Sequence, residues 1–154
     1  MEPVLGTKKV MQICIIVKDV EESKKKWAEF LGAPVPDTSN AGPYEVTQAE
    51  FEGKPEKAAN CNMAAFRLSD EIEFEVLQPT GGVPSEWQNF LDQNGEGIHH
   101  FAHAVKDTEA KLKNAAAQGY GCTQKGKYGD GSGMYAYLDS RPQLKATIET
   151  LETF

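Results

Sequence analysis

The sequence predicts an α+β domain built from two copies of one β-α-β-β-β unit. Two segments that start 88 residues apart, 12–21 and 100–109, each carry an alternating apolar run that ends in Val-Lys-Asp-x-Glu. A helical pattern follows each motif, and strand patterns close each half. We therefore expect a curved mixed sheet around a cleft, in a single domain over residues 1–154, with half 1 at about 9–80 and half 2 at about 97–152.

Composition restricts the class of function. The chain has 154 residues, 40% of them hydrophobic and 25% charged, which is ordinary for a globular protein. Its net charge is −7 and its basic residues are scattered, so a nucleic-acid-binding surface is not expected. No apolar stretch approaches the length of a membrane span or a signal peptide. Three cysteines without metal-type spacing indicate reduced thiols in a cytoplasmic protein, so we expect a small-molecule partner and neither membrane nor nucleic acid.

Each repeated Asp stands where a helix should begin. The side chains of Asp19 and Asp107 can accept hydrogen bonds from free amides of a first helical turn, and Glu22 occupies the capping-box position after Asp19. A third helix is predicted between the halves, because Ser85 with Gln88 forms another capping box.

The rest of each half reads as strands and loops. Pro and Gly punctuate residues 34–59 and 120–132, which predicts loose connections. Within the second stretch, the glycine-rich run at 125–133 lacks a phosphate-loop pattern and reads as a flexible hairpin or lid. The closing strands are predicted at residues 62–68, 71–77, 133–138 and 145–151.

Strand alternation assigns side chains to faces of the sheet. The bulkier sides of the two opening strands suit packing under a helix, whereas the sides that begin at Gln12 and His100 carry smaller residues and suit a concave surface. His99 and His103 share the helix-facing phase, so each is expected to be a structural histidine. The helix-facing set is Ile13, Ile15, Val17, Phe101, His103 and Val105, and the cleft-facing set is Gln12, Cys14, Ile16, His100, Ala102 and Ala104.

Each half offers one polar residue on its first strand and one Glu in its last strand. These residues are Gln12 with Glu75 and His100 with Glu149, and pseudo-twofold symmetry would bring all four into one cleft. An amide oxygen, an imidazole and two carboxylates suit one divalent ion such as Zn, Ni, Co, Mn or Mg, which makes the predicted cleft a metal cleft. Taken singly, Gln12 reads as an exposed polar residue at a strand start, and Glu75 and Glu149 could likewise belong to solvated strand faces. The matched positions of these residues in the repeat favour ligands.

The repeated strand–helix openings and the run Gly97-Ile-His-His-Phe-Ala resemble the vicinal oxygen chelate superfamily, over about residues 9–151. This superfamily includes glyoxalase I, methylmalonyl-CoA epimerase, extradiol dioxygenases and bleomycin-resistance proteins. Its ligands lie on the first and last strands of each half, which implies Gln12, Glu75, His100 and Glu149 as metal ligands. Gln at the first position is similar to eukaryotic-type glyoxalase I, whereas residues 87–104 look more like the epimerase.

The resemblance implies a metal-dependent isomerase, epimerase or lyase that stabilises the enolate of a small carbonyl substrate. In such an enzyme a carboxylate moves the proton, and we expect Glu149 to be the catalytic base, with Glu75 as the second choice. A homodimer is expected from the resemblance alone.

Some positions differ from particular members of the superfamily. Ile16 and Pro79 stand where glutathione-using glyoxalase I has Arg and Asn. The second acid of the epimerase has no counterpart at its position, although Glu56 or Glu52 could reach in from the loop. Two alternatives to a metal-dependent isomerase or lyase are a metal-free small-molecule-binding protein of the antibiotic-resistance type and an extradiol dioxygenase. The four-ligand set favours the enzyme over the first, and Gln12 in place of a His disfavours the second.

Overall fold

The computed structural model describes residues 3–154, in which ten strands form one continuous sheet. The sheet is mixed, because β1 with β6 and β7 with β10 pair in parallel while the other neighbours are antiparallel. Its strand order is β2-β5-β6-β1-β7-β10-β9-β8-β3-β4. The strands are β1 Gln12–Ile16, β2 Ser39–Asn40, β3 Glu50–Phe51, β4 Lys54–Pro55, β5 Cys61–Arg67, β6 Glu73–Pro79, β7 Gly97–Ala104, β8 Cys122–Lys127, β9 Gly133–Leu138 and β10 Thr147–Thr153. The predicted α+β class with a curled mixed sheet is confirmed.

The two halves meet at the centre of this sheet with pseudo-twofold symmetry. β1 and β7 are antiparallel neighbours, and each pairs in parallel with the last strand of its own half. Gln12 pairs with Glu73 on β6, and His100 pairs with Thr147 on β10. Glu75 and Glu149, each two residues further along, therefore occupy equivalent positions on the same face as their partners.

The helices begin where the capping residues predict. Asp19 Oδ1 accepts from the amide of Glu22 at 3.0 Å, and Asp107 Oδ1 accepts from the amide of Ala110 at 3.2 Å. Ser85 Oγ accepts from the amide of Gln88 at 3.0 Å. The helices are α1 Val20–Leu31, α2 Tyr44–Thr47, α3 Glu86–Asn94, α4 Thr108–Ala117 and α5 Arg141–Leu144. Among these described helices, none is long and apolar enough to cross a membrane.

Hydrophobic clusters cover both faces of the sheet. On the outer face, α1 covers β5 and β6 and α4 covers β9 and β10. On the inner face, α3 inserts Trp87 and Phe90 among the cleft-facing residues of β1. The assignment of β1 to two faces is thereby confirmed: Cys14 and Ile16 join the inner cluster, while Val17 joins the cluster under α1.

Two segments predicted as loose connections contain regular structure. Residues 120–132 include all of β8, and residues 34–59 contain β2, α2, β3 and β4. β2 pairs with β5 near one edge of the sheet, whereas β3 pairs with β8 near the other, so the chain between them spans the open side of the cleft. There the backbones of Gly42 and Gly129 touch, since a Cβ on Gly42 would lie 2.7 Å from Gly129 Cα.

Candidate metal and acid–base site

The structure brings the four predicted ligand residues together within one chain. Gln12, Glu75, His100 and Glu149 are 7%, 9%, 0% and 4% exposed. His100 Nε2 lies 3.2 Å from Gln12 Oε1 and 2.9 Å from Glu149 Oε2. Gln12 Nε2 donates to Glu75 Oε2 at 3.4 Å. We call these four residues the quartet.

The quartet lies at the base of a cavity of about 500 Å³ between the two halves. Gln12, Glu75 and Glu149 line this cavity, while fully buried His100 lies behind them. Apolar and aromatic side chains form most of the remaining wall, and the β8–β9 hairpin and the residues after β2 form its rim. The wall includes Cys61, Met63, Leu77, Trp87, Tyr135, Tyr137 and Leu151. A small organic molecule therefore has room beside the quartet, in largely apolar surroundings.

Glu73 orients the amide of Gln12. Gln12 Nε2 donates to Glu73 Oε1 at 2.8 Å, and this contact turns Gln12 Oε1 toward His100. Gln12 therefore presents its oxygen, the metal-binding atom of an amide, to His100, while its Nε2 faces Glu73 and Glu75. Glu73 also lines the cavity.

Burial and mutual charge shift the pKa values of the quartet. Burial raises the pKa of Glu75 to about 7; His100 opposes this shift and Glu149 adds to it. For His100, burial acts to lower the pKa, but the Glu149 and Glu75 carboxylates outweigh it and raise the pKa above its ordinary value. The site accumulates negative charge that favours a bound cation or proton.

The residues present fit a divalent ion. Glu149 Oε2 is buried without a hydrogen-bond partner among the described residues, although His100 Nε2 is only 2.9 Å away. A buried carboxylate oxygen left in this state costs free energy, and a cation would remove the cost. An amide oxygen, an imidazole nitrogen and two carboxylates are hard-to-borderline donors of the kind that Zn²⁺ and similar ions accept.

Cys14 is a further potential ligand that the sequence reasoning missed. Its Sγ and one donor atom each of Glu75 and His100 all lie within 4.8 Å of one another. Burial, followed by the charges of Glu75 and Glu149, raises the pKa of this thiol well above its usual value. The three cysteines lack metal-type spacing, but the position of Cys14 two residues after Gln12 on the cleft face was a usable signal.

The prediction that His99 faces the outer helices is wrong. The β1–β7 register shifts so that Cys14 pairs with His100 but Ile15 pairs with Ile98, which leaves His99 as the extra residue of a β-bulge. The His99 ring consequently turns inward, with its centroid 4.9 Å from that of Phe90. Burial lowers the pKa of His99 to about 4 although Glu86 favours the charged form.

His103 keeps the regular phase of the strand. Its Nδ1 lies 2.9 Å from the carbonyl oxygen of Lys9, and it does not line the main cavity. This contact is what a structural histidine makes, so His103 serves below as a control residue.

The suggestion that Glu52 or Glu56 supplies a second acid is also wrong. Glu52 lies in the turn between β3 and β4 and lines a different, smaller cavity. Glu56 is half-buried, and its carboxylate accepts from the amide of Ala58. Neither lines the main cavity, because pairing with β8 carries this hairpin to the far edge of the sheet.

The metal-free protein is expected to become more stable as pH falls from 8 to 6.5. The folded-state pKa of Glu75, about 7, exceeds the ordinary glutamate value of 4.5, so the folded state binds more protons than the unfolded state in this range. The gain is about 1 kcal/mol, and the raised pKa of His100 acts in the same direction. The opposing effect of His99, whose pKa is lowered, sets in as pH approaches the ordinary histidine value of 6.5 and offsets only part of this gain.

Urea unfolding in the presence of a chelator measures this dependence, with Glu75→Gln as the control that should flatten it. Stability that is constant, or that rises toward pH 8, would contradict the assignment of a proton to Glu75.

The fold and the quartet together define a class: small α+β proteins with two βαβββ halves and polar donors on the first and last strand of each. Residues 11–137 match the family model described as Glyoxalase/Bleomycin resistance protein/Dioxygenase superfamily. The chain therefore belongs to this superfamily, and the predicted membership of the vicinal oxygen chelate group is confirmed. No curated protein matches the chain by sequence.

Solved structures of this fold superpose on nearly the whole chain. The methylmalonyl-CoA epimerase from Mycobacterium tuberculosis has a TM-score of 0.64 at 16% identity, over 100% of this chain and 92% of that chain. A variant of the Streptomyces coelicolor epimerase, in complex with 2-nitronate-propionyl-CoA, has a TM-score of 0.66 at 17% identity, over 94% and 96%. A mutant of 4-hydroxymandelate synthase from Streptomyces coelicolor has a TM-score of 0.58 at 11% identity, over 94% of this chain and 48% of that one. At these identities the similarity shows the fold.

Proposed function

We propose that this protein is a metal-dependent isomerase, epimerase or lyase that moves a proton beside the carbonyl group of a small substrate. The observation that carries this proposal is the quartet itself, four buried donor side chains at the base of a cavity, one of them with a buried carboxylate oxygen that faces His100 Nε2. Buried acids with perturbed pKa values in a cleft are typical of catalytic sites.

Gln12, Glu75, His100 and Glu149 would hold one divalent ion, such as Zn, Ni, Co, Mn or Mg. When bound, the ion supplies positive charge that stabilises the negative charge developing on a substrate oxygen. The two carboxylates would balance the charge of the ion in this buried position.

Glu149 is the proposed base, and Glu75 is the second choice. Glu149 lines the cavity, and among the described residues its Oε2 has no polar partner other than His100 Nε2 at 2.9 Å, so the carboxylate is placed to take a proton from a substrate. Glu75 accepts a hydrogen bond from Gln12, and its carboxylate also contacts the thiol of Cys14. The raised pKa of Glu75 belongs to the metal-free pocket, so it does not by itself make Glu75 the base.

The geometry disfavours two narrower activities, those of a glutathione-using glyoxalase I and of an extradiol dioxygenase. Ile16, where an Arg would serve glutathione, is fully buried in the inner cluster, and Pro79 is buried on β6 beside β5. An extradiol dioxygenase uses two His and one carboxylate, but both ring nitrogens of His99 are occupied by His100 and Glu86.

Acyl-CoA thioesters are the first substrates to test, because one epimerase of this fold is in complex with methylmalonyl-CoA. The expectation of a cytoplasmic homodimer stays part of the proposal. All four ligand residues come from one chain, so the site does not require a partner to complete it.

The first experiment is the metal content of protein purified without chelator. We expect close to one divalent ion per chain in the wild type and in His103→Ala, and its loss in His100→Ala. Acyl-CoA thioesters and small α-hydroxy and α-keto carbonyl compounds are then screened by proton–deuterium exchange. A wild type that carries no metal and takes up none on addition overturns the proposal, and the cavity would then be a metal-free binding pocket.

A further inference from the structure

Two buried histidine rings and the partly buried carboxylate of Glu86 form a hydrogen-bonded chain that runs from His100, in the quartet, to the start of α3. His100 Nδ1 lies 2.9 Å from His99 Nδ1, and His99 Nε2 lies 3.1 Å from Glu86 Oε1. Both rings are fully buried, and the Glu86 side chain is 18% exposed. The proposed mechanism uses neither His99 nor Glu86.

The ionised carboxylate of Glu86, at the end of this hydrogen-bonded chain, decides the direction of both hydrogen bonds. Glu86 is the first residue of α3, where the helix dipole favours an anion, and its Oε1 also lies 3.3 Å from Thr147 Oγ1, which can donate to it. An ionised carboxylate only accepts, so the proton between Glu86 and His99 must be on His99 Nε2.

The position of this proton also decides the direction of the contact between His99 and His100. His99 is fully buried beside the Arg141 guanidinium, which donates to the His99 carbonyl oxygen at 3.1 Å, so its ring stays neutral. A neutral imidazole with its proton on Nε2 has a lone pair on Nδ1. His99 Nδ1 therefore accepts, and His100 Nδ1 must be the donor across the 2.9 Å contact.

We propose that Glu86 and His99 are positioning residues that hold a proton on His100 Nδ1, which reserves His100 Nε2 for the metal ion. This inference rests on the proposed function in one respect, that His100 is a ligand. His100 Nε2 is the nitrogen that faces Gln12 Oε1 and Glu149 Oε2. The opposite direction would set the lone pair of His99 Nε2 against the Glu86 carboxylate.

The β-bulge in β7 is the local feature that makes these hydrogen bonds possible. In a regular strand the side chains of His99 and His100 would point to opposite faces, whereas the extra residue lets both point inward. Arg141 stabilises this arrangement, because its guanidinium contacts the His99 carbonyl and also lies 4.7 Å from the centroid of the Phe90 ring. Outer partners that fix the tautomer of a metal-binding histidine are common in metalloproteins.

The direction of the hydrogen bonds from His100 to His99 and from His99 to Glu86 is testable without any metal. The protein contains three histidines, so ¹⁵N-histidine labelling gives a simple NMR spectrum, and His103→Gln assigns the third ring. We expect His99 to be neutral with its proton on Nε2, and a scalar coupling across the hydrogen bond between the two Nδ1 atoms. A His99 ring that carries its proton on Nδ1 would overturn the proposal.

Metal affinity tests whether His99 supports metal binding through His100. His99→Phe keeps a ring against Phe90 but removes the acceptor for His100 Nδ1, and Zn²⁺ affinity measured against a chromophoric chelator should fall about 10–100-fold. His99→Gln, whose side-chain oxygen can accept, should recover part of the loss, and His103→Phe should show none. Thermal unfolding of each variant identifies any loss that arises from misfolding.

The outcomes separate this inference from the proposed function. Zn²⁺ affinity of a folded His99→Phe protein within twofold of the wild type would overturn the positioning role even if His100→Ala abolishes binding. If the wild type binds no metal, the proposed function fails and the metal-reserving role fails with it. The NMR measurement then still decides whether His100 Nδ1 donates to His99 Nδ1.

Discussion

Glu149→Gln is expected to slow substrate proton–deuterium exchange by about 100- to 10,000-fold at saturating metal, the range that a positioned general base contributes. The substitution keeps the size of the side chain and an oxygen that can bind a metal, but it removes the ability to accept a proton. Glu149 lines the cavity, and His100 Nε2 is the one polar partner of its Oε2 among the described residues, which makes this residue the best-placed base. The exchange rate on a substrate from the carbonyl screen measures the effect, with bound metal quantified in the same sample.

Glu75→Gln is the matched comparison for this prediction. It removes the same charge from the symmetry-related strand, so it should weaken metal binding to a similar degree, yet at saturating metal it should retain more of the exchange rate. If Glu149→Gln keeps at least a tenth of the wild-type rate while Glu75→Gln loses it, the base is Glu75. If neither variant changes the rate, the quartet does not carry out the proton transfer.

Trp87→Ala is expected to lower the free energy of unfolding by about 4 kcal/mol, the usual cost of removing a large buried aromatic side chain. Trp87 is 3% exposed and packs against Tyr135 and Tyr137 in the inner cluster. Its Nε1 also donates to the Tyr137 hydroxyl at 2.8 Å, so the truncation removes a buried hydrogen bond together with the packing. Urea unfolding followed by far-UV circular dichroism measures the loss.

Two variants calibrate this result. Trp87→Phe keeps most of the packing and loses the indole donor, so it should cost less than Trp87→Ala. Trp27→Ala removes the other tryptophan, which is only partly buried on the outer face and should also cost less. A Trp87→Ala cost at or below that of Trp27→Ala would mean that α3 does not hold Trp87 in the inner cluster.

Much of the fold was readable from the sequence because its signals are local. The N-caps at Asp19, Ser85 and Asp107 depend on residues only three positions apart, and the structure contains all three bonds. The faces of β1 follow from the two-residue period of a strand. The internal repeat added the long-range information, because duplication implies that residues at matched positions lie at symmetric places in the sheet.

The same repeat explains how the four quartet residues were found. No one of them is distinctive in its own segment, but Gln12 and His100 occupy matched positions on β1 and β7, and Glu75 and Glu149 do so on β6 and β10. The identity of the residues that come together was therefore predictable, whereas their role stays a prediction until metal content and exchange are measured.

The features that the sequence did not reveal depend on contacts between distant segments. β3 exists because it pairs with β8, and its two residues carry no strand pattern of their own.

What the sequence by itself determined is the repeated unit, its helix starts and strand faces, and the four residues that meet at the base of the cleft. What only the tertiary structure decided is the β-bulge that turns His99 inward and the contact between His99 and Glu86. Periodicity assumes regular pairing, and one extra residue in one strand reverses the phase without any mark in the local sequence. The position of Glu86 depends on how α3 packs inside the curved sheet, and that packing is set by the free energy of the whole inner cluster rather than by the residues around Glu86.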